Sequence, residues 1–300
     1  MKRGAGLGVL SLVTATVLWA GSFIALKLAF RQYSPMTVIF GRMAVAAVVF
    51  VFILPRTRGI QYRPGDYKPL GIMVLLEPCL YFLLEARALT LTSASQAGTI
   101  VALIPLMVAA GAGIFLKEKI DSRLIFGGFL AIVGAIWLSL SAEADTYSPR
   151  PALGNFLEFL AMICGAAFTV ILKNMCRRYP PLFLTGLQAF AGSIFFFPLM
   201  WFIPPGPPSH LAAGPLLAIV YLGIFVTFGA YALFNTGVSR IPASQAAVFL
   251  NLIPVFTIFL GGVLLKETLT WPQYLACLLV IGGVFYSQSR GKPSETGVCE

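Results

Sequence analysis

Two glutamates stand in an apolar run, at Leu76-Glu77-Pro78 and Leu84-Glu85-Ala86. Glu77, Tyr81 and Glu85 are spaced i, i+4, i+8, which places them on one face of a helix. If the run crosses a bilayer, an ionised side chain there costs about 2.5–3.5 kcal/mol, so it must face a cavity or a partner. The spacing predicts a polar path along one helix, with Glu77 as a proton-titrating or cation-binding group. The competing reading is a static pair of Glu77 or Glu85 with Arg42 or Lys27. Pro78 removes a backbone donor beside Glu77 and predicts a kink. Arg42 reads either as a guanidinium for a substrate carboxylate or as a counter-ion for a glutamate. Asn251 is expected to face a cavity, because it is polar in mid-run three residues before Pro254. Trp19, Phe168, Phe228 and Tyr231 could wall a site for apolar or aromatic ligands, or simply pack. Glu158 is a weaker candidate, expected at shallow depth in an outer vestibule. Lys27, Lys173 and Arg87 lie near helix ends and are expected to snorkel.

The elements that must position these residues are membrane spans. Of 300 residues, 58% are hydrophobic and 11% charged, with mean hydropathy +0.88; soluble chains carry about 25% charged residues. A span needs about 20 apolar residues. Ten runs qualify: 7–30, 35–54, 69–90, 93–115, 122–140, 152–176, 181–203, 212–236, 242–264 and 270–288. Tyr33-Ser34-Pro35 and Tyr179-Pro180-Pro181 each separate two spans, and 204–208 is a Pro-rich loop. The five cysteines lie mostly in apolar runs without a CxxC pair, and read as small hydrophobes.

The chain writes one stretch twice. SASQAGTIVALIPLMVAAGAGIFLKE (93–118) and PASQAAVFLNLIPVFTIFLGGVLLKE (242–267) match at 11 of 26 positions, at an offset of 149. Earlier residues repeat at an offset of 146: Lys27, Tyr33 and Pro35 with Lys173, Tyr179 and Pro181. Each unit holds five spans, and an odd number forces the second copy to enter the membrane from the opposite side. With the N-terminus in the cytoplasm, 14 basic loop residues lie inside and three (Arg31, Arg150, Lys266) outside. The inner set is Lys2, Arg3, Arg56, Arg58, Arg63, Lys68, Lys117, Lys119, Arg123, Arg177, Arg178, Arg240, Arg290 and Lys292. The net charge of +10 is thereby explained by topology and not by nucleic acid. Inverted repeats point to a secondary transporter with a site near the bilayer midplane. Pro105 and Pro254 occupy equivalent mid-span positions and are expected to be gating hinges. Gly111, Gly113, Gly261 and Gly262 would let the hinged ends approach their neighbours. Gln96 and Gln245 are expected to bond across helix interfaces.

These repeated stretches resemble the EamA family of the drug/metabolite transporter superfamily. The matching residues are Trp19-Ala20-Gly21 and Ser22, the Arg42 position, the two Ala-Ser pairs with their central prolines, Glu118, Glu267, Gly134, Gly282 and Gly283. The resemblance implies an all-α integral membrane protein of ten transmembrane helices in two inverted five-helix repeats. Residues 1–145 and 146–290 would be the EamA-like repeats and 291–300 a cytoplasmic tail. It further implies a plasma-membrane carrier (inner membrane if Gram-negative); the basic-residue bias places both termini in the cytoplasm. The expected function is export of small metabolites such as amino acids by alternating access. The alternative is drug or organic-cation efflux using Glu77 and Glu85 as counter-charges.

The rival classes have little to build on. There is no Walker A or GxGxxG loop, and the only histidine, His210, lies in the outer Pro-rich region, so no enzyme is expected. Nothing resembles a channel filter. The expected partners are a small-molecule substrate, protons as coupling ion and the lipid bilayer, with no nucleic acid, no metal and no cofactor. The functional unit is expected to be a monomer or a homodimer.

Overall fold

The structure, a computed structural model, describes residues 2–53, 63–116, 122–208, 210, 212–240 and 243–288. Arg56, Arg58, Lys117, Glu118, Lys119, Pro242, Arg290, Lys292 and Cys299 lie outside them, as do the side chains of Lys2, Arg3 and Gln245. Helix is the only extended regular structure among the described residues. In chain order the helices are α1 (Lys2–Phe30), α2 (Pro35–Ile53), α3 (Tyr67–Leu89), α4 (Ala94–Gly111), α5 (Ser122–Leu140), α6 (Pro151–Met175), α7 (Pro181–Phe202), α8 (Ala213–Arg240), α9 (Ala246–Leu265) and α10 (Trp271–Gln288). Eight are long and apolar enough to cross a membrane; α5 and α10 carry shorter apolar stretches, Ile125–Leu140 and Trp271–Tyr286. Many large apolar side chains are left exposed, among them Phe52, Leu140, Ile194 and Phe202. Such a surface suits lipid and not water. This is a multi-pass membrane protein.

Proline sets where α2, α6 and α7 begin, because the first helical position needs no N–H donor. Ser93 caps α4 by accepting from the Gln96 amide at 3.2 Å. The interior prolines break helices. The α-turns of α4 stop at Val101 and resume at Ile104, just ahead of Pro105. In α9 a tighter 3-10 turn over Phe249–Asn251 precedes Pro254. Both breaks follow from the bond that proline cannot make to the fourth residue before it. The largest break is in α3. Its backbone widens into π turns over Leu75–Leu80, and Glu77 is extended at φ −145°, ψ 114°. Glu77 therefore does not continue the regular helical face of Tyr81 and Glu85, contrary to the i, i+4, i+8 expectation. Pro78 is the reason, since helix geometry fails in the residue before a proline. α8 carries a similar widening over Leu222–Ala230 and runs one turn further than the sequence suggests.

The packing is reciprocal. α1 packs on α8 and α9, while α6 packs on α3 and α4. α2 lies against α7 and α8, and α7 against α2 and α3. α5 pairs with α10 through glycines at equivalent positions. A Cβ on Gly134 would stand 2.8 Å from the Val280 nitrogen and 3.0 Å from the Ala276 oxygen. A Cβ on Gly283 would stand 2.7 Å from both the Ala131 nitrogen and the Gly127 oxygen. An offset of 149 converts one set of contacts into the other. At one end of the bundle the Tyr33 hydroxyl accepts from the Ala212 amide at 2.7 Å; at the other the Tyr179 hydroxyl donates to Asp66 Oδ2 at 3.0 Å. Those four residues correspond at an offset of 146.

Each end also has its own fastening. Glu267, just past α9, accepts from the Ala94 amide at 2.8 Å, the Ser95 amide at 2.9 Å and the Ser95 hydroxyl at 2.6 Å. It caps the positive N-terminus of α4 from the other half of the chain. At the opposite end Asp66 forms an ion pair with Arg178.

The glycine interface is directly testable. Gly134→Leu should lower the unfolding midpoint in detergent, at a cost of about 1–3 kcal/mol, because the added side chain meets backbone. Gly128→Leu, where a Cβ meets nothing within 4 Å, should leave the midpoint unchanged.

Candidate substrate and coupling cavity

The interior breaks in α3, α4 and α9 meet around one cavity. Its walls are Trp19, Ser22 and Phe23 of α1, Arg42 of α2, and Glu77, Tyr81, Phe82 and Glu85 of α3. Val101 and Ile104 of α4, Gly165, Phe168 and Thr169 of α6, Tyr231 and Phe234 of α8, and Leu250 and Ile253 of α9 complete them. The residues flanking the α4 break, Val101 and Ile104, correspond at an offset of 149 to Leu250 and Ile253. Trp19, Ser22, Phe23 and Glu85 correspond at 146 to Gly165, Phe168, Thr169 and Tyr231. The cavity thus draws on equivalent positions of both halves. Its volume is about 50 Å³, room for a few water molecules and far below the about 300 Å³ of a small drug-sized site.

Its polar groups are fixed by neighbours. The Tyr231 hydroxyl donates a short hydrogen bond to Glu77 Oε1, and the Tyr81 hydroxyl donates to Glu85 Oε1 at 3.1 Å. Arg42 is buried; its Nε donates to the Thr227 hydroxyl at 2.7 Å, and its guanidinium lies over the Phe82 ring at 4.4 Å. No ion-pair contact joins Arg42 to Glu77 or Glu85 among the described residues. Arg42 thus balances charge across the cavity without closing on one carboxylate. Trp19 meets Tyr231 edge-on at 5.1 Å and lies 4.9 Å from Phe234, forming an aromatic wall. Gly165 keeps α6 clear of that space: a Cβ there would be 3.3 Å from the Tyr81 ring and 3.6 Å from Glu77 Oε2. Guanidinium, carboxyls and aromatic faces together can hold a small amphoteric or cationic molecule.

The model of the EamA-like transporter family matches residues 6–140 and again 152–287. The chain belongs to the EamA-like transporter family. It is a membrane transporter. An uncharacterized transporter of Archaeoglobus fulgidus is 27% identical over 278 residues, 91% of this chain and 96% of its own length. An uncharacterized inner membrane transporter of Escherichia coli, YhbE, is 24% identical over 304 residues, covering 96% of this chain and 92% of its own. A chain of known crystal structure shares the fold, with a TM-score of 0.68 at 19% identity over 96% of this chain and 97% of the other.

Of the residues singled out in the sequence, this EamA-like transporter gathers Trp19, Arg42, Glu77, Tyr81, Glu85, Phe168 and Tyr231 at the cavity. Asn251 is not in its walls. It sits in the 3-10 turn of α9, and that tighter turn presents Leu250 and Ile253 to the cavity instead. Phe228 packs against Ala46, Ala47 and Ala189, away from the site. Glu158 is the largest correction. It is fully buried, not part of an open vestibule, because α6 turns that face towards α3. Lys27 donates to the Tyr147 carbonyl, in the connection between α5 and α6, at 2.8 Å, and Lys173 to the Val238 carbonyl, in the last turn of α8, at 2.7 Å. Arg87 is exposed. Gln96 holds a cross-helix network, accepting from Asn155 Nδ2 at 2.8 Å and from Thr92 at 3.3 Å. Cys79 and Cys277 are buried free thiols, as expected of small hydrophobes.

Sequence reasoning missed Thr227, Asn155 and Phe82. Thr227 is equivalent to Tyr81 at an offset of 146, a relation the repeat contained. A second hollow of about 1,090 Å³ lies at the Glu267 end, between Lys27, Gln96, Asp145 and Glu267, and shares no wall residue with the first.

Among the described residues, Arg42 is the only basic one in the cavity wall. Arg42→Met should destabilise the fold by about 3–5 kcal/mol, since it strands buried carboxylates. Adding Glu85→Gln should recover part of that loss in detergent unfolding measurements.

Proposed function

We propose that this transporter is a secondary carrier that exports small metabolites such as amino acids by alternating access, with protons coupled through Glu77. The observation that carries the reading is the cavity itself, with one guanidinium and two carboxyls against aromatic rings, deep in a bundle of membrane-length helices. Arg42 would meet a substrate carboxylate, and Glu77 or Glu85 its ammonium group. A cavity this small must widen to take an amino acid. The α4 and α9 breaks before Pro105 and Pro254 offer the bending points. The Glu267 and Asp66 fastenings would then open in alternation, one at each face.

The topology that fits is ten crossings in two inverted five-helix repeats, at 1–145 and 146–290, with 291–300 as a tail. The Gly134/Gly283 and Tyr33/Tyr179 reciprocity supports it, because such contacts arise from a two-fold relation between halves. The basic-residue bias supports cytoplasmic termini and a location in the plasma membrane, or the inner membrane of a Gram-negative cell. A monomer contains the whole cavity; a homodimer would add no wall to it.

Organic-cation efflux is the second reading. It is favoured by Trp19, Phe82, Tyr231 and Phe234 beside two carboxyls, a setting that attracts cations. Purified protein screened for thermal stabilisation by amino acids and by organic cations separates the two. Uptake into proteoliposomes at varied pH then tests coupling. Wild type should accumulate substrate along a proton gradient, and Glu77→Gln should lose that accumulation while still exchanging substrate. Gradient-driven accumulation by Glu77→Gln would refute the coupling role. Ser95→Cys with Glu267→Cys should halt transport when cross-linked and recover on reduction; transport that continues while cross-linked would refute gating at that end.

A further inference from the structure

The hollow at the Glu267 end has the room that the central cavity lacks, about 1,090 Å³ against about 50 Å³. Small-molecule sites run from about 300 to 1,000 Å³. Its wall carries both signs of charge: Lys27, Arg31 and Lys266 against Glu143, Asp145 and Glu267. Among the described residues no ion pair joins these three cations to these three acids. Several of them hold the wall itself in place. Asp145 Oδ1 accepts from the Tyr147 amide at 2.7 Å and the Ser148 amide at 2.6 Å, which shapes the turn between α5 and α6. Lys27 donates to the Tyr147 carbonyl at 2.8 Å, and the Arg31 guanidinium stands 5.1 Å over the Tyr147 ring. These two cations, four residues apart at the end of α1, pin that turn into the wall. Arg31, Glu143, Asp145 and Lys266 are exposed, so the hollow opens to the surface at this end.

The two spaces are stacked on the same helices. On α1 Phe23 lines the central cavity and Lys27 the hollow; on α3 Glu85 and Leu89 do the same. Each pair is one turn apart, about 6 Å along its helix. On α4 the cavity takes Val101 and the hollow Gln96, and on α9 Ile253 and Leu264. Between these levels α4 and α9 meet through glycine. A Cβ on Gly98 would stand 2.7 Å from the Thr257 Cβ, and one on Gly261 2.6 Å from the Ser95 Oγ. That seam and the Glu267 cap on α4 separate the two spaces in this conformation. We propose that the hollow is a second substrate station, which holds an amino-acid zwitterion at the Glu267 end of the path to the central cavity. Lys27 and Arg31 would take its carboxylate, and Glu143 and Asp145 its ammonium group. A zwitterion offers a partner to both sets of charges, which do not pair with one another. An organic cation would leave the basic set unmatched. The station rests on the amino-acid reading of the central cavity, and gives that substrate a place to wait while the cavity is too small to admit it.

Equilibrium dialysis of the purified full chain against each of the genetically encoded amino acids, radiolabelled, tests the station. Wild type should bind at least one of them. Arg31→Glu and Glu143→Lys, both at exposed positions where folding is not at stake, should each weaken that binding by about tenfold, the loss of one charged contact. Choline, a cation without a carboxylate, should not displace the bound amino acid. Binding that neither variant weakens would overturn the station. If Glu85→Gln weakens it instead, the bound molecule sits in the central cavity, and the proposed function stands without the station. Displacement by choline as effective as by the unlabelled amino acid would overturn the zwitterion assignment. Retention of no amino acid by wild type would overturn the station together with the reading on which it rests.

Discussion

Charge taken out of water must be neutralised inside the protein, and the interior of the bundle holds the buried guanidinium of Arg42 together with the buried carboxyls of Glu77, Glu85 and Glu158. That constraint organises the bundle's centre. It explains why Arg42 is held by Thr227 and Phe82 rather than locked to one carboxylate. It explains the two tyrosines, each donating to one glutamate. A static ion pair would satisfy the electrostatics equally well, but it would leave nothing for a ligand to displace. A distributed charge, balanced through neutral donors and protons, can be redistributed when a substrate enters.

The backbone around the cavity follows a second constraint. Inside hydrocarbon, broken helices are tolerated only where the freed groups are covered by protein or face a water-filled space. The breaks near Glu77, Val101 and Phe249 all gather at the cavity, where the proline rings cause them. The remaining helices approach through small residues, as Gly134 and Gly283 do for α5 and α10.

The two halves correspond in backbone but not in chemistry. Glu85 stands where the second half has Tyr231, Tyr81 where it has Thr227, and Trp19 where it has Gly165. Near-symmetric scaffolding thereby surrounds an asymmetric site: large residues from one half fill the space left by small ones from the other. Thr227 and Gly165 look unremarkable in sequence for this reason, since their partners are distant in the chain, Arg42 for Thr227 and Tyr81 and Glu77 for Gly165.

Much of the architecture was legible before any coordinates. Membrane character, the positions of the spans and the doubled stretch are properties of the chain in one dimension, because hydrocarbon demands long apolar runs and proline marks breaks locally. Glu77, Arg42 and Tyr231 could be singled out on the same basis, as polar or amphipathic groups in such runs. The direction each side chain takes around its helix axis belongs to the tertiary structure. Depth along α6 made Glu158 look peripheral, yet its rotation towards α3 buries it completely. Asn251 looked central, yet one tighter turn gives its neighbours the cavity wall. The sequence by itself determined which residues are costly to place in a membrane. Only the packing of the helices decided which of them share one space, because helix breaks and rotations are set by neighbours distant in the chain.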